Sequence, residues 1–589
     1  MEGIDKEQNV IIVDFEVLYN AKFWLCCMKD ARTEKEHIII NDEKEFKRVF
    51  NKNSNSIWVG YNIRRYDSWI MKAILTGYSP FEVTKKIIID GVNCWNISPL
   101  LNRTNVNYYE IGSQQRSLKE LELFMGESIV ESDITFDIST YPSEEQIETL
   151  AKYCMNDVRM TFEVFKHMKH EFDSQKGLIE MFNLNNSAYA KTKAQLSSMI
   201  LGAKKPDYPR NDEFEFKIID NIKLSKYNYI KEWYMNPENR NYDLSLTANV
   251  YGVDIFFGWG GLHGAKYKYK HTGIIVNSDV QSFYPSEMIE YDFLSRNVKN
   301  KDKYKQIRES RLKLKALGDK KSNSLKIVLN GTYGASKDKY NDLYDPQMGN
   351  AVCVNGQLLL LDLIEKVEEC LGDKATLIQC NTDGVMFSFN DEESKDIYMD
   401  ICKEWSNRTK MNLDHDEIKK VIQKDVNNYI FITNNGKIKR KGAYVKELSI
   451  LDNDLPIVNK ALVEKLLYNT QIRETVEKSD SLIDFQKCVK ITNKYKYAQH
   501  GNEKIHLKVL RVFASKDNND PSVTKVKINS NTAEKIGNTP EHAFIINEDI
   551  KKRTVPEKLD RDWYINLAEK RYSEFVDESK NVPTLFDLL

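Results

Sequence analysis

With 589 residues, 41% of them hydrophobic, the chain is long enough to bury several cores and is expected to divide into roughly three to five domains. Lysine plus arginine (86) nearly balance aspartate plus glutamate (87), so bulk charge does not drive nucleic-acid binding, although local basic patches can. The nine cysteines carry no C-x-x-C pair, no run of about 18 apolar residues occurs, and the opening "MEGIDKEQNV" is acidic where a signal peptide is basic and then apolar. Zinc, iron–sulfur and membrane chemistry are thereby disfavoured, and a soluble cytoplasmic protein with reduced thiols is expected.

In chain order, "NVIIVDFEVLY" reads as an apolar strand whose Asp14 and Glu16, two residues apart, project from one face. Two carboxylates side by side call for a cation between them. "WVGYNIRRYDSWIM" passes from strand to apolar-periodic helix, with Asn62 and Asp67 at the junction. "EEQIETLAKYCMNDVRMTFEVF" is predicted helical, placing Tyr153 and Asp157 at i and i+4 on one face. The four carboxylates and one phenol of these stations are the inventory of two-metal phosphodiester hydrolysis, in which carboxylates hold two Mg²⁺ ions and a tyrosine orients the attacking water.

Farther along, "GIIVN" is a short buried strand running into "SDVQSFYPS". Pro285 is expected to push Tyr284 out of helical space and to make the segment a turn. "KDKYKQIRESRLKLKALGDKK" is a basic helix with Arg311 and Lys315 at i and i+4. "ALGDKKSNS" breaks it from a second helix, in which Lys326, Asn330 and Tyr333 form one stripe ending at Gly334. In "ATLIQCNTDGVMFSF" two alternating runs flank Asp383-Gly384, a hairpin signal. "FFGWGGLHG" allows close backbone approach at Gly260 and Gly261. "GAKYKYKH" and "KIKRKGAYVK" interleave cations with aromatics, as grooves along a phosphate backbone do.

In their order these motifs resemble those of family B DNA polymerases with a proofreading exonuclease. Asp14/Glu16, Asn62/Asp67 and Tyr153/Asp157 resemble the three exonuclease motifs, with "SLKELELFMGESI" similar to a helix between the last two. "DVQSFYPS" resembles motif A, usually Asp-x-x-Ser-Leu-Tyr-Pro-Ser, and "KIVLNGTYG" resembles motif B. "NTDG" resembles motif C, usually Asp-Thr-Asp-Ser, with Asn381 and Gly384 as departures. A further departure is Val17, where phage relatives often carry threonine.

The resemblance implies an α/β multidomain protein: a ribonuclease-H-like exonuclease domain plus a right-hand polymerase of palm, fingers and thumb. The corresponding segments are 1–175 for the exonuclease, 176–297 for a connector and the first part of the palm, 298–337 for the fingers, 338–446 for the second part of the palm, and 447–589 for a thumb and C-terminal region. It implies Asp14, Glu16, Asp67 and Asp157 as metal ligands with Tyr153 orienting water, and Asp279, Asp383 and the Val280 carbonyl as ligands of a second metal pair. Two Mg²⁺ ions per site are implied, with Mn²⁺ as a substitute.

Ser282, Phe283, Tyr284, Arg311, Lys315, Lys326 and Asn330 would bind the dNTP, Tyr284 as the gate against a 2′-hydroxyl. Tyr333, Gly334, Gly260, Gly261, Lys439, Lys441, Asn62 and Tyr66 would meet DNA. Only 47 residues separate Asp279 from Lys326 and 49 separate Gly334 from Asp383 (326 − 279 and 383 − 334), which leaves no room for the insertions of protein-primed phage polymerases. Expected partners are therefore primer-template DNA, dNTPs and helper proteins such as a helicase or a single-strand-binding protein, acting with a monomeric, compact phage-like enzyme. The alternatives are a nuclease-only enzyme, a reverse transcriptase, and a catalytically weakened primer-template-binding protein.

Overall fold

A computed structural model of the chain describes residues 9–112, 116–131, 134 and 138–576. The ends of the expected first and last segments, residues 1–8 and 577–589, lie outside the described residues. The fold is mixed α/β and falls into two compact units, 1–192 with 448–456 and 479–563, and 193–447 with 457–478 and 564–589. The expected C-terminal region 447–589 is thus divided between the units rather than forming one body. Among the described residues no helix is long and apolar enough to cross a membrane.

The first unit begins with five strands, β1 (Val10–Leu18), β2 (Phe23–Asp30), β3 (Glu36–Ile40), β4 (Ile57–Tyr61) and β5 (Tyr108–Ile111), in the sheet order β3-β2-β1-β4-β5. β1 is antiparallel to β2 and parallel to β4, which is parallel to β5. Strand alternation puts Ile11, Val13, Phe15 and Val17 of β1 into an apolar core with Trp24, Trp58 and Trp69, and leaves Asp14 and Glu16 on the opposite face. The Asp67–Thr76 helix follows β4. The Leu118–Met125 and Glu144–Met181 helices both begin with capping boxes, Ser117/Glu120 and Ser143/Gln146, which satisfy amides that a helix start leaves without partners.

The second unit is built on nine strands: β6 (Leu246–Val250), β7 (Val253–Phe257), β8 (His263–Ala265), β9 (Tyr269–Val280), β10 (Ala375–Asn381), β11 (Gly384–Phe389), β12 (Leu413–Asp425), β13 (Asn428–Thr433) and β14 (Ile438–Lys441). Their order is β14-β13-β12-β9-β11-β10-β8-β7-β6, with β9 between β12 and β11. Beside the sheet runs the almost wholly buried Pro346–Leu371 helix. Two of its buried polar groups accept from backbone amides of the 219–223 segment, Asn355 Oδ1 from Ile219 N at 2.9 Å and Asp362 Oδ2 from Lys223 N at 2.6 Å, whereas Asn350 Oδ1 is buried without a hydrogen-bond partner. The Asp302–Ala316 and Lys321–Lys337 helices form the expected hairpin, and the second packs on the Lys193–Leu201 helix.

Seven more strands return to the first unit, β15 (Lys487–Lys490), β16 (Tyr495–His500), β17 (Glu503–Ile505), β18 (Val509–Ala514), β19 (Val523–Lys527), β20 (Ala533–Lys535) and β21 (Ala543–Ile545). They form sheets ordered β15-β18-β21 and β17-β16-β19-β20 around their own core of Val489, Leu510, Val512 and Val523.

Three local expectations are corrected. Tyr284 is helical, because Pro285 sits in the first turn of the Phe283–Glu290 helix, where its missing N–H has no acceptor to lose. The Lys326 stripe does not end at Gly334, since the helix continues to Lys337. The two-residue turn between β10 and β11 is Thr382-Asp383, with Asn381 paired to Gly384, and β11 is buried along its whole length rather than alternating.

Candidate active sites

In the first unit, β1 presents Asp14 and Glu16 to the Glu144–Met181 helix, whose Cys154 Sγ lies 3.6 Å from Asp14 Oδ2. Asp67 joins them as the first residue of its helix, 4% exposed, held by its own amide and that of Phe15. Burial, then mutual repulsion, raises the Asp14 carboxyl well above the carboxylate range, with Asp67 the largest of the like charges. Glu16 is raised in the same way, and burial takes Asp67 to about 7. Asp157, also raised by burial, is pulled back by Lys119, whose Nζ donates to it at 2.5 Å and to Glu122 Oε1 at 3.1 Å. The same ammonium lies 4.8 Å from the centre of the Tyr153 ring. Four carboxylates, of which only Asp157 is ion-paired with Lys119, fit divalent cations by their charge and hard oxygen donors, and one metal-sized cluster (Asp14, Glu16, Cys154) is already assembled.

Around this centre, Val17 is 2% exposed in the core, on the opposite face of β1 from the carboxylates. Asn62 stands exposed with φ 57°, and the Tyr66 hydroxyl pairs with Thr84 Oγ1 at 3.0 Å while burial, and then the charges of Asp67, Glu16 and Asp14, raise its pKa.

In the second unit, β9 and β11 bring Asp279 opposite Gly384, and the Val280 amide donates to the Asp383 carbonyl at 2.7 Å. Burial, with Asp383 adding repulsion, raises Asp279 to about 6, while Asn277 Nδ2 donates to its Oδ2 at 2.9 Å. Asp383 lines two adjoining cavities. One, of about 580 Å³, is also lined by Asp279, Lys439 and Lys441. The other, of about 400 Å³, is walled by Ser282, Phe283, Tyr284, Arg311, Lys326, Asn330 and Tyr333.

Tyr284 and Tyr333 meet with ring centroids 4.4 Å apart, and Arg311 Nη1 donates to Ser282 Oγ at 3.0 Å. Gly261 is closely approached, since a Cβ there would lie 2.5 Å from Thr382 Oγ1 unless that side chain shifted, whereas Gly260 and Gly334 have open space. Lys315 is exposed and does not line the cleft beside Arg311. Asn381 Oδ1 is engaged by His263 Nδ1 at 3.0 Å and by the Thr382 amide at 3.1 Å, so it shapes the turn.

Several residues at these centres escaped the sequence reading. Lys119 finds Asp157 only through the fold, 38 positions away. Asp414 and Asp416 flank β9 from β12, with Asp416 Oδ2 accepting from Lys439 at 2.6 Å. Their i, i+2 spacing in "LDHDE" is the signal that identified Asp14 and Glu16.

No protein-family model matches the chain. The uncharacterized mitochondrial protein ymf34 of Marchantia polymorpha is 38% identical over 73 residues, which are 12% of this chain and 89% of that protein. Among solved structures, the family B DNA polymerase from the hyperthermophilic archaeon Pyrobaculum calidifontis aligns with a TM-score of 0.42 and 14% identity, over 99% of this chain and 80% of that one.

Proposed function

We propose that the chain is a template-directed DNA polymerase of the family B kind with an attached 3′→5′ proofreading exonuclease, of the compact phage-like type that extends an ordinary nucleic-acid primer. The observation that carries this reading is the cleft at Asp383, where that turn aspartate and Asp279 near the end of β9 adjoin a wall of Tyr284, Arg311, Lys326, Asn330 and Tyr333. A nuclease alone has no use for that wall. Arg311 and Lys326 would neutralise a triphosphate, Asn330 and Tyr333 would border the nascent pair, and Tyr284, its ring tilted against that of Tyr333, would exclude a 2′-hydroxyl. Asp279, Asp383 and the Val280 carbonyl would hold two Mg²⁺ ions, which when bound supply charge neutralisation for attack on the α-phosphate. Lys439 and Lys441 would follow the primer backbone, and helicase or single-strand-binding protein would assist displacement of a paired strand. In the other unit, Asp14, Glu16, Asp67 and Asp157 would hold the second pair, with Tyr153 orienting water and Lys119 balancing Asp157.

Primer extension with and without dNTPs tests the reading. Asp383→Ala is expected to lower extension at least about a thousandfold while single-strand degradation continues, and Asp14→Ala to do the reverse. Extension by Asp383→Ala at the wild-type rate would exclude it, and degradation without any extension by the wild type would leave a nuclease.

A further inference from the structure

Beyond the C-terminal end of the Lys321–Lys337 helix lies a cavity of about 460 Å³ that neither catalytic centre uses. It is enclosed by the segment around Lys205 to Arg210 and by the turn carrying Lys339, Tyr340 and Tyr344. Tyr208 and Tyr340 stand at its rim, 64% and 85% exposed. Single exposed tyrosines are ordinary, but two beside three cations around one concavity are a composition with a use.

The frame is fixed. Arg210 Nη2 donates to Asn297 Oδ1 at 2.6 Å, and the Asn297 amide donates to the carbonyls of Asp342 (2.8 Å) and Tyr344 (2.9 Å). Lys205 donates to the Lys339 carbonyl and lies 5.2 Å from the centre of the Tyr344 ring. Arg210 Nε is buried without a hydrogen-bond partner, a donor left over. Among the described residues Lys205, Arg210 and Lys339 form no ion pair, and the neighbouring carboxylates Asp212 and Asp345 are both committed to Arg296. Asp212 also feels the charge of Arg210, but three cations outside ion pairs, beside exposed aromatic faces, suit a ligand that alternates flat rings with anions.

We propose that this cavity binds unpaired nucleic acid, with bases stacking on Tyr208 and Tyr340 and phosphates on Lys205, Arg210 and Lys339. Its place identifies the strand. Tyr333 borders the nucleotide cleft, and the helix carries on from it to Lys337, about 6 Å at the usual rise per residue. The cavity therefore receives the template ahead of the base being copied. That identification rests on the polymerase reading, whereas the ligand class does not.

The test is fluorescence anisotropy in EDTA, so that no probe is degraded, with a blunt duplex, a primer-template bearing a 5′ template overhang, and a short unstructured single strand. Wild type is expected to prefer the overhang to the blunt duplex. Tyr208→Ala and Tyr340→Ala should each weaken overhang and single-strand binding roughly five- to a hundredfold, with blunt-duplex binding and melting temperature unchanged. Lys339→Gln should flatten the plot of log affinity against log salt for the single strand by about 0.7. Tyrosine variants that bind the overhang and the single strand as wild type does, or that lose blunt-duplex affinity equally, would overturn the site. Wild type that binds the overhang no better than the blunt duplex, with single-strand binding intact and tyrosine-dependent, would overturn the template assignment alone.

Discussion

Gly384 is where one atom decides the chemistry of the second unit. A Cβ there would lie 2.1 Å from Asp279 Oδ1 and 2.9 Å from the Ser278 carbonyl, so any side chain must displace the carboxylate offered as a metal ligand. Gly384→Ser is therefore expected to slow extension about a hundredfold, the scale of an ångström's misplacement, while leaving degradation intact. Steady-state extension and degradation on the same preparation check this. Proton linkage acts at single residues too. Asp67 and Asp279, held near about 7 and about 6 by burial, keep a proton in the folded chain that they release near 3.8 when exposed. Raised carboxyls give stability that is full below the unfolded value and lost as pH rises through the folded one. Metal-free protein should therefore melt lower at about pH 8 than at about pH 5. Mg²⁺ should raise the melting temperature more at the higher pH, because only ionised carboxylates ligate. Asp67→Asn should flatten the metal-free profile, and a variant whose thermal melts fall as steeply as wild type would contradict the assignment.

Among the elements, the Lys321–Lys337 helix carries one face toward the cleft and the other against the Lys193–Leu201 helix. Gly331 allows that approach, since a Cβ would stand 2.7 Å from Ser197 Oγ and 3.4 Å from the Lys193 carbonyl. Gly331→Val should cost about 1–3 kcal/mol, read from the denaturant midpoint, by forcing the helices apart. Such packing was invisible in sequence, where Gly331 is one residue of an otherwise legible periodic helix. What could be read was local: β1 with its paired acids, the Tyr153/Asp157 helix, and the two helices from Asp302 to Lys337. What could not be read depends on distant segments meeting, as when Lys119 reaches Asp157 or β12 lays Asp414 and Asp416 beside β9. The misplaced turn at Asp383 has a physical cause as well. Gly384 serves close strand approach, with its Cβ position occupied by Asp279, and so reads falsely as the second residue of a turn.

At the scale of the whole molecule the chain leaves and re-enters each unit, so neither is a simple stretch of sequence. Residues 479–563 belong with the first unit, and Arg511, fully buried, shows what ties them. Its guanidinium donates to Gln486 Oε1 at 3.0 Å, to the Glu548 carbonyl at 2.9 Å, and to the carbonyls of Leu123 (2.9 Å) and Glu127 (3.0 Å), beyond 360 residues in sequence. Burial lowers its pKa only to about 10, so it stays charged at neutral pH. A charge in that setting must keep its acceptors, and removing part of such a network costs about 3–5 kcal/mol. Arg511→Met should lower stability on that scale, because carbonyls from three parts of the chain lose their donor. Deleting residues 1–192 is the stronger test, since it removes Leu123 and Glu127 and leaves the guanidinium half-paired. The strands β15–β21 retain a core of their own, so the outcome separates two architectures. In the deleted protein, limited proteolysis is expected to cut within 479–563 well before 193–447. Equal resistance of both segments would show that the C-terminal strands fold without the N-terminal sheet and that Arg511 only fastens a finished domain.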